Sequence, residues 1–154
     1  MADVTLVIKG LVGSFGACVC FGMLFHTPRH CLLAAAVTGL AGYAGYMAGM
    51  ALLDSTVGAS FIGALIVALL SEWLARRKKA PAILFSMNGL VPLVPGAGLY
   101  RTMLALVLEQ YDEAAAIGVE TVLVAAGIAL AIAVVTVMTR GLRRAGGKPE
   151  TARK

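Results

Sequence analysis

Charge is what this chain most lacks. Asp, Glu, Lys and Arg together make up 14% of its 154 residues, about half the share of a soluble globular domain, in which roughly a quarter of residues are charged. Hydrophobic residues fill 60% of positions and the mean hydropathy is +0.89. That composition excludes a water-exposed fold of this length and marks an integral membrane protein. At roughly 20 apolar residues per spanning helix, there is room for four or five spans and for no separate soluble domain. The net charge of +5 is gathered in short stretches beside the apolar runs. That is the pattern of a topology signal and not of a nucleic-acid footprint.

Other absences narrow the function. Cys18, Cys20 and Cys31 lie in or at the ends of apolar runs without the spacing of metal ligands, so they read as small packing residues. His26 and His30 are four residues apart, but Pro28 falls between them and no acidic ligand is near. No metal and no cofactor is expected. No serine–histidine pairing and no phosphate-cradling loop is present, so the chain does not read as an enzyme. No basic region precedes the first apolar run, which therefore reads as a retained span and not a cleaved signal. No internal repeat is visible.

Five apolar runs organise the sequence: residues 4–25, interrupted by Lys9; 31–53; 56–74; 82–108; and 114–139. The expected fold is all-α, a single transmembrane domain over residues 1–139. A basic tail, residues 140–154, follows and is expected to be disordered. With five spans, Arg29, the Arg76–Lys79 cluster and the six basic residues of the tail fall on one side, eleven of the thirteen Lys and Arg. The positive-inside rule then places the N-terminus outside and the C-terminus in the cytoplasm. Four spans would put the Arg76 cluster and the tail on opposite faces. Glu72 precedes Arg76 by four residues beside Trp73, the spacing of an interfacial ion pair next to an aromatic anchor.

The fourth run carries the most informative segment, Pro92-Leu93-Val94-Pro95-Gly96-Ala97-Gly98. Each proline lacks an amide donor and clashes with the preceding turn, and each glycine loosens the backbone. The spacing predicts a span broken at Pro92–Gly98. In a membrane such a break is tolerated where it is buried in protein or lines a wet cavity, and transporters build substrate sites from broken helices. A second half-helix starting near Ala97 aims its free amides and positive dipole end at mid-membrane, which suits a carboxylate. Arg101, one turn on, offers a two-bond grip on the same group, and Tyr100 a hydroxyl. The first half-helix, ending near Asn88–Val91, offers free carbonyls and the Asn88 amide. The expected substrate path is Asn88, Pro92, Pro95, Gly96, Gly98, Tyr100 and Arg101. The alternative is a hinge with no ligand.

Lys9 and Glu120 are the other charges inside apolar runs, where a charge costs at least about 2.5–3.5 kcal/mol near the bilayer centre. Both are expected in an outer vestibule. Arg101 and Glu120 are mirror-related about the Gln110–Tyr111 turn. At about 1.5 Å rise per residue they share a depth, so they pair or face one vestibule. The alternative is that Arg101 snorkels to the interface and Glu120 is a first-turn acid of the last helix. Gly39, Gly42, Gly45 and Gly49 form a small-residue stripe along the second span, and Gly10, Gly13 and Gly16 repeat it in the first. Such stripes let helix backbones approach closely, within one chain or between subunits.

Taken in order, Phe21-Gly22-Met23-Leu24-Phe25 with Pro28, the striped second span, Pro92-Leu93-Val94-Pro95-Gly96 with Tyr100, and the small-residue-rich last span resemble the threonine/serine exporter family. The resemblance is to the short-subunit form, equivalent to the C-terminal membrane domain of the full-length exporters. It implies one component of a two-subunit secondary exporter of small amino or dicarboxylic acids in the bacterial inner membrane. The other component is a second membrane subunit equivalent to the family's N-terminal domain. The alternatives are a non-transporting membrane scaffold and a homo-oligomeric channel.

Overall fold

A computed structural model describes residues 2–146. Six α-helices follow one another: α1 (Ala2–Leu24), α2 (Arg29–Leu53), α3 (Thr56–Lys78), α4 (Ala82–Leu90), α5 (Gly96–Val107) and α6 (Tyr111–Gly146), with one 3-10 turn, Val91–Leu93, between α4 and α5. No strand occurs among the described residues. Helices α1, α2, α3 and α6 are each long and apolar enough to cross a membrane, and α4 with α5 makes a fifth candidate, bent by 51°. The architecture is that of a multi-pass membrane protein.

Local chemistry sets the ends of these helices. Pro28 and Pro81 stand immediately before α2 and α4, where the missing amide costs nothing because first-turn amides have no intrahelical partner. Asp54 and Lys79 close α2 and α3 in the left-handed conformation, at φ 48° and 52°. Ser55 then caps α3, accepting a hydrogen bond from the Gly58 amide. Arg76, Arg77 and Lys78 occupy the last turn of α3, where positive charge complements the helix dipole. The ion pair expected between Glu72 and Arg76 does not form. The aromatic ring engages a different guanidinium instead: Arg77 lies 5.1 Å from the centroid of Trp73, four residues along the same face and better placed to cover the ring.

Helices α2 and α3 are the centre of the bundle. Helix α2 packs against α1, α3 and α4, and α3 also meets α4 and α6. The glycines of α2 make this possible. A methyl at Gly49 would lie 2.8 Å from the Ala59 Cα, and one at Gly63 of α3 would lie 2.9 Å from the Gly42 carbonyl oxygen. Gly39, Gly42 and Gly45 are likewise filled by Cys18, Val67 and Ile66. Close backbone approach of this kind holds membrane helices together where lipid removes the hydrophobic drive. By contrast α5 packs against α6 and against no other described helix.

Two helices extend at their C-terminal ends beyond the apolar runs of the sequence. Helix α3 runs past Leu74 to Lys78, and α6 runs past Thr139 to Gly146. The start of the basic tail therefore continues the last helix, because nothing between Arg140 and Gly146 breaks it and arginine is a good helix former. Residues 147–154, the rest of the tail, lie outside the described residues.

Candidate functional site

The chain leaves helical geometry where the prolines require it. Helix α4 stops at Leu90, the 3-10 turn carries Pro92, Val94 is extended (φ −61°, ψ 129°), and Pro95 stands directly before α5. The Gly96 amide folds back to the Val94 carbonyl at 2.8 Å and the Leu99 amide bonds Pro95 at 3.1 Å. The amides of Ala97 and Gly98 find no such carbonyl, as the first turn of any helix requires.

A cavity of about 460 Å³ opens beside this break, within the roughly 300–1,000 Å³ of small-molecule sites. The break supplies Pro92, Leu93, Val94 and Pro95; α5 supplies Ala97, Gly98 and Arg101; α6 supplies Ile117, Glu120, Thr121 and Val124. Tyr46 of α2 and Thr56 and Ser60 of α3 complete the wall. Its electrostatics are those of a matched pair of charges. Arg101 and Glu120 both face the cavity, yet no ion pair joins them, so each keeps hydrogen-bonding capacity for something else. The Ser60 and Thr121 hydroxyls donate to the carbonyls of Thr56 (2.8 Å) and Ile117 (2.7 Å) within their own helices. That leaves their oxygen lone pairs as acceptors.

Helices α5 and α6 hold the charged pair at one level by an antiparallel register that the structure makes explicit. A methyl at Gly98 would collide with the Thr121 hydroxyl, and one at Gly118 would lie 3.3 Å from Thr102 Cγ2. Each glycine of one helix thus receives a threonine of the other, and Arg101 and Glu120 fall between the two contacts. Ala105 and Ala114, nearer the turn, are both buried.

The remaining expected residues go elsewhere. Gly96 opens α5 with nothing within 4 Å of its missing side chain. Tyr100 is 67% exposed and does not line the cavity. Lys9 is exposed on α1, which contributes nothing to the cavity wall. Asn88 is 1% exposed and does not line this cavity. Its side-chain amide donates to Thr27 Oγ1 at 3.0 Å and to the Leu84 carbonyl at 3.1 Å, while Cys18 Sγ reaches its backbone carbonyl at 3.1 Å. Asn88 therefore ties the α1–α2 connection to α4. It lines a smaller, mostly apolar pocket of about 270 Å³ with Phe25, Ile83, Leu84 and Met87. No group of His, Cys, Asp and Glu among the described residues has the arrangement of a metal site.

Sequence reasoning did not single out Tyr46, Thr56, Ser60 or Thr121. The one available signal was polarity: each is a hydroxyl-bearing residue in or at the end of an apolar span. Which way it faced was not readable, because the spans are apolar all round.

Residues 10–138 match the family model described as Threonine/Serine exporter, ThrE. The chain belongs to the threonine/serine exporter family. No curated protein and no solved structure gives a match. Membership gives the chain an exporter-type transport role, and the broken span with its charged cavity lies wholly inside the matched residues.

Proposed function

We propose that the chain is the membrane subunit of a two-component secondary exporter, and that the cavity beside the Pro92–Gly98 break is where a small amino acid lodges. The observation that carries this reading is that Arg101 and Glu120 share one cavity without neutralising each other. A guanidinium and a carboxylate held apart at one depth complement a zwitterion: the substrate carboxylate meets Arg101 and the first-turn amides of α5, and its ammonium meets Glu120. Ser60, Thr56 and Thr121 offer acceptors to a hydroxyl on the substrate. A dicarboxylate fits less well, since its second carboxylate would sit against Glu120. In this reading the chain spans the bacterial inner membrane five times, N-terminus outside, beside a second subunit equivalent to the family's N-terminal domain.

The scaffold reading has one observation in its favour: Asn88, Tyr100 and Arg101 occupy three different surroundings. Convergence of Arg101 with Glu120 and four hydroxyl-bearing side chains weighs against it, because an unpaired charge in a membrane segment is costly unless it is used. The test is efflux of labelled threonine and labelled succinate from cells co-expressing this chain and the second subunit. Threonine efflux that disappears in Arg101→Leu, with membrane insertion unchanged, supports the proposal. Efflux equal in wild type and Arg101→Leu removes the cavity from the pathway, and succinate efflux without threonine efflux overturns the zwitterion assignment.

A further inference from the structure

Helix α1 turns two opposite faces to its surroundings. Its inward side is packed: Ser14 and Cys18 are buried, Gly10 receives the Tyr43 ring and Gly22 receives Leu32. At 100° per residue, Lys9, Gly13, Gly16 and Cys20 fall on the other side, flanked by Val12 and Met23, and all six are exposed. A methyl added at Gly13 or Gly16 would meet nothing within 4 Å.

Apart from Gly96 at the start of α5 and Gly141 near the end of α6, no other described helical glycine is this open. Gly39, Gly42, Gly45, Gly49, Gly63 and Gly89 are each closed by a neighbour that a methyl would press against. Glycine in a helix interior is less stable than alanine, and in those six positions close packing offsets the loss. At Gly13 and Gly16 nothing among the described residues does. The same face carries Lys9, a charge inside the apolar run with no counter-ion among the described residues. An open glycine notch with an unpaired ammonium about one turn from Gly13 and two from Gly16 is unsuited to hydrocarbon on both counts.

We infer that this face of α1 is the docking surface for a transmembrane helix of a different subunit, one that crosses closely at Gly13 and Gly16 and presents a carboxylate level with Lys9. The inference rests on the two-component reading and adds where the components meet. A second copy of this chain is disfavoured by charge. A two-fold contact through the notch sets each residue near its own counterpart, so Lys9 would approach Lys9 of the copy, a like-charge contact in a low-dielectric surrounding. A different partner with an acidic residue at that depth meets the ammonium and seats its backbone on the glycines.

The test measures association in membranes between this chain and the co-expressed subunit equivalent to the family's N-terminal domain, by energy transfer between fluorescent tags. The Gly13→Leu/Gly16→Leu double variant should weaken association at least tenfold while inserting and melting as wild type does, since its new side chains meet no neighbour in the chain. Ala126→Leu/Ala129→Leu, equally exposed on α6, should leave association unchanged. Lys9→Glu should weaken it and Lys9→Arg should preserve it. Wild-type association with the α1 double variant overturns the inference and leaves the two-component reading standing; failure of the wild-type chains to associate at all overturns both. Oxidation of membranes supplies a further check, because Cys20 is exposed whereas Cys18 and Cys31 are buried. A Cys20–Cys20 dimer, lost in Cys20→Ser, would place a second copy on the face and overturn the inference.

Discussion

Gly98 of α5 sits directly against Thr121 of α6, so close that a methyl on Gly98 would strike the Thr121 hydroxyl. This contact sets how near the half-helix after the break lies to the last span, and with it the level at which Arg101 and Glu120 face the cavity. Because α5 has no other helical neighbour among the described residues, its placement depends on this contact together with that of Thr102 against Gly118.

Gly98→Ala should therefore destabilise the protein by about 1–3 kcal/mol, the usual cost of overpacking. Combining it with Thr121→Ala, which removes the colliding hydroxyl, should recover a large part of the loss. Thermal melting of the four proteins of this cycle in detergent is the measurement. Additive losses would show that the two side chains do not meet.

The second prediction separates Arg101 from Glu120. Both are exposed within apolar helices, so removing either charge relieves a cost of at least about 2.5–3.5 kcal/mol if it lies near the bilayer centre. Arg101→Leu and Glu120→Gln should then insert as well as wild type or better, while each lowers threonine efflux at least tenfold. Arg101→Lys should retain only part of the activity, because an ammonium cannot make the paired bonds of a guanidinium. Efflux and membrane abundance measured side by side distinguish loss of function from loss of protein.

Much of this was legible in the sequence, and the unreadable part has one physical cause. The break was readable because proline and glycine act through the backbone and need no partner. The shared level of Arg101 and Glu120 was readable because a tight turn between antiparallel helices fixes depth by counting residues. The direction in which Asn88 and Tyr100 face was not readable. Rotation about a helix axis is set by packing against neighbours, and a span that is hydrophobic on every side carries no stripe to mark its inward face. Asn88 serves Thr27 and Tyr100 faces outward for reasons that lie in the α1–α2 connection and in α6 and not in their own segment. The same blindness hid Ser60 and Thr121, whose roles depend on the angle at which α3 and α6 meet the break.

A third prediction follows for Asn88. Its amide joins Thr27 to α4 within the bundle, and its carbonyl oxygen Oδ1 is buried without a partner. Asn88→Leu removes that unsatisfied oxygen along with the bond to Thr27, so the two effects oppose each other. A hydrogen bond between membrane helices is worth about 0.6 kcal/mol on average. A buried acceptor left unpaired costs about 1–3 kcal/mol. Asn88→Leu should thus melt near or slightly above wild type, and Thr27→Val should melt slightly below it. Neither should change the threonine concentration for half-maximal efflux, which would shift if Asn88 bound substrate.

The fourth prediction concerns Leu93, which reaches from the break into the core. It is 6% exposed, packs with Ala64, Val67, Val124, Ile128 and Ala131, and lies against the glycine notches at Gly42 and Gly63. It also forms part of the cavity wall, so its side chain both seals the bundle and bounds the site. Leu93→Ala should destabilise by about 2–5 kcal/mol, the usual range for truncating a buried leucine. Leu93→Met should cost less than about 1.5 kcal/mol, because it conserves volume and hydrophobicity. If the break is anchored through this side chain, Cys18 of α1 and Cys31 of α2, which are buried and do not line the cavity, should react with maleimide no faster in the alanine variant than in wild type, while a cysteine placed at Val94 reacts faster. Uniform acceleration at all three positions would mean that the bundle as a whole has loosened and that Leu93 does not hold the break in particular.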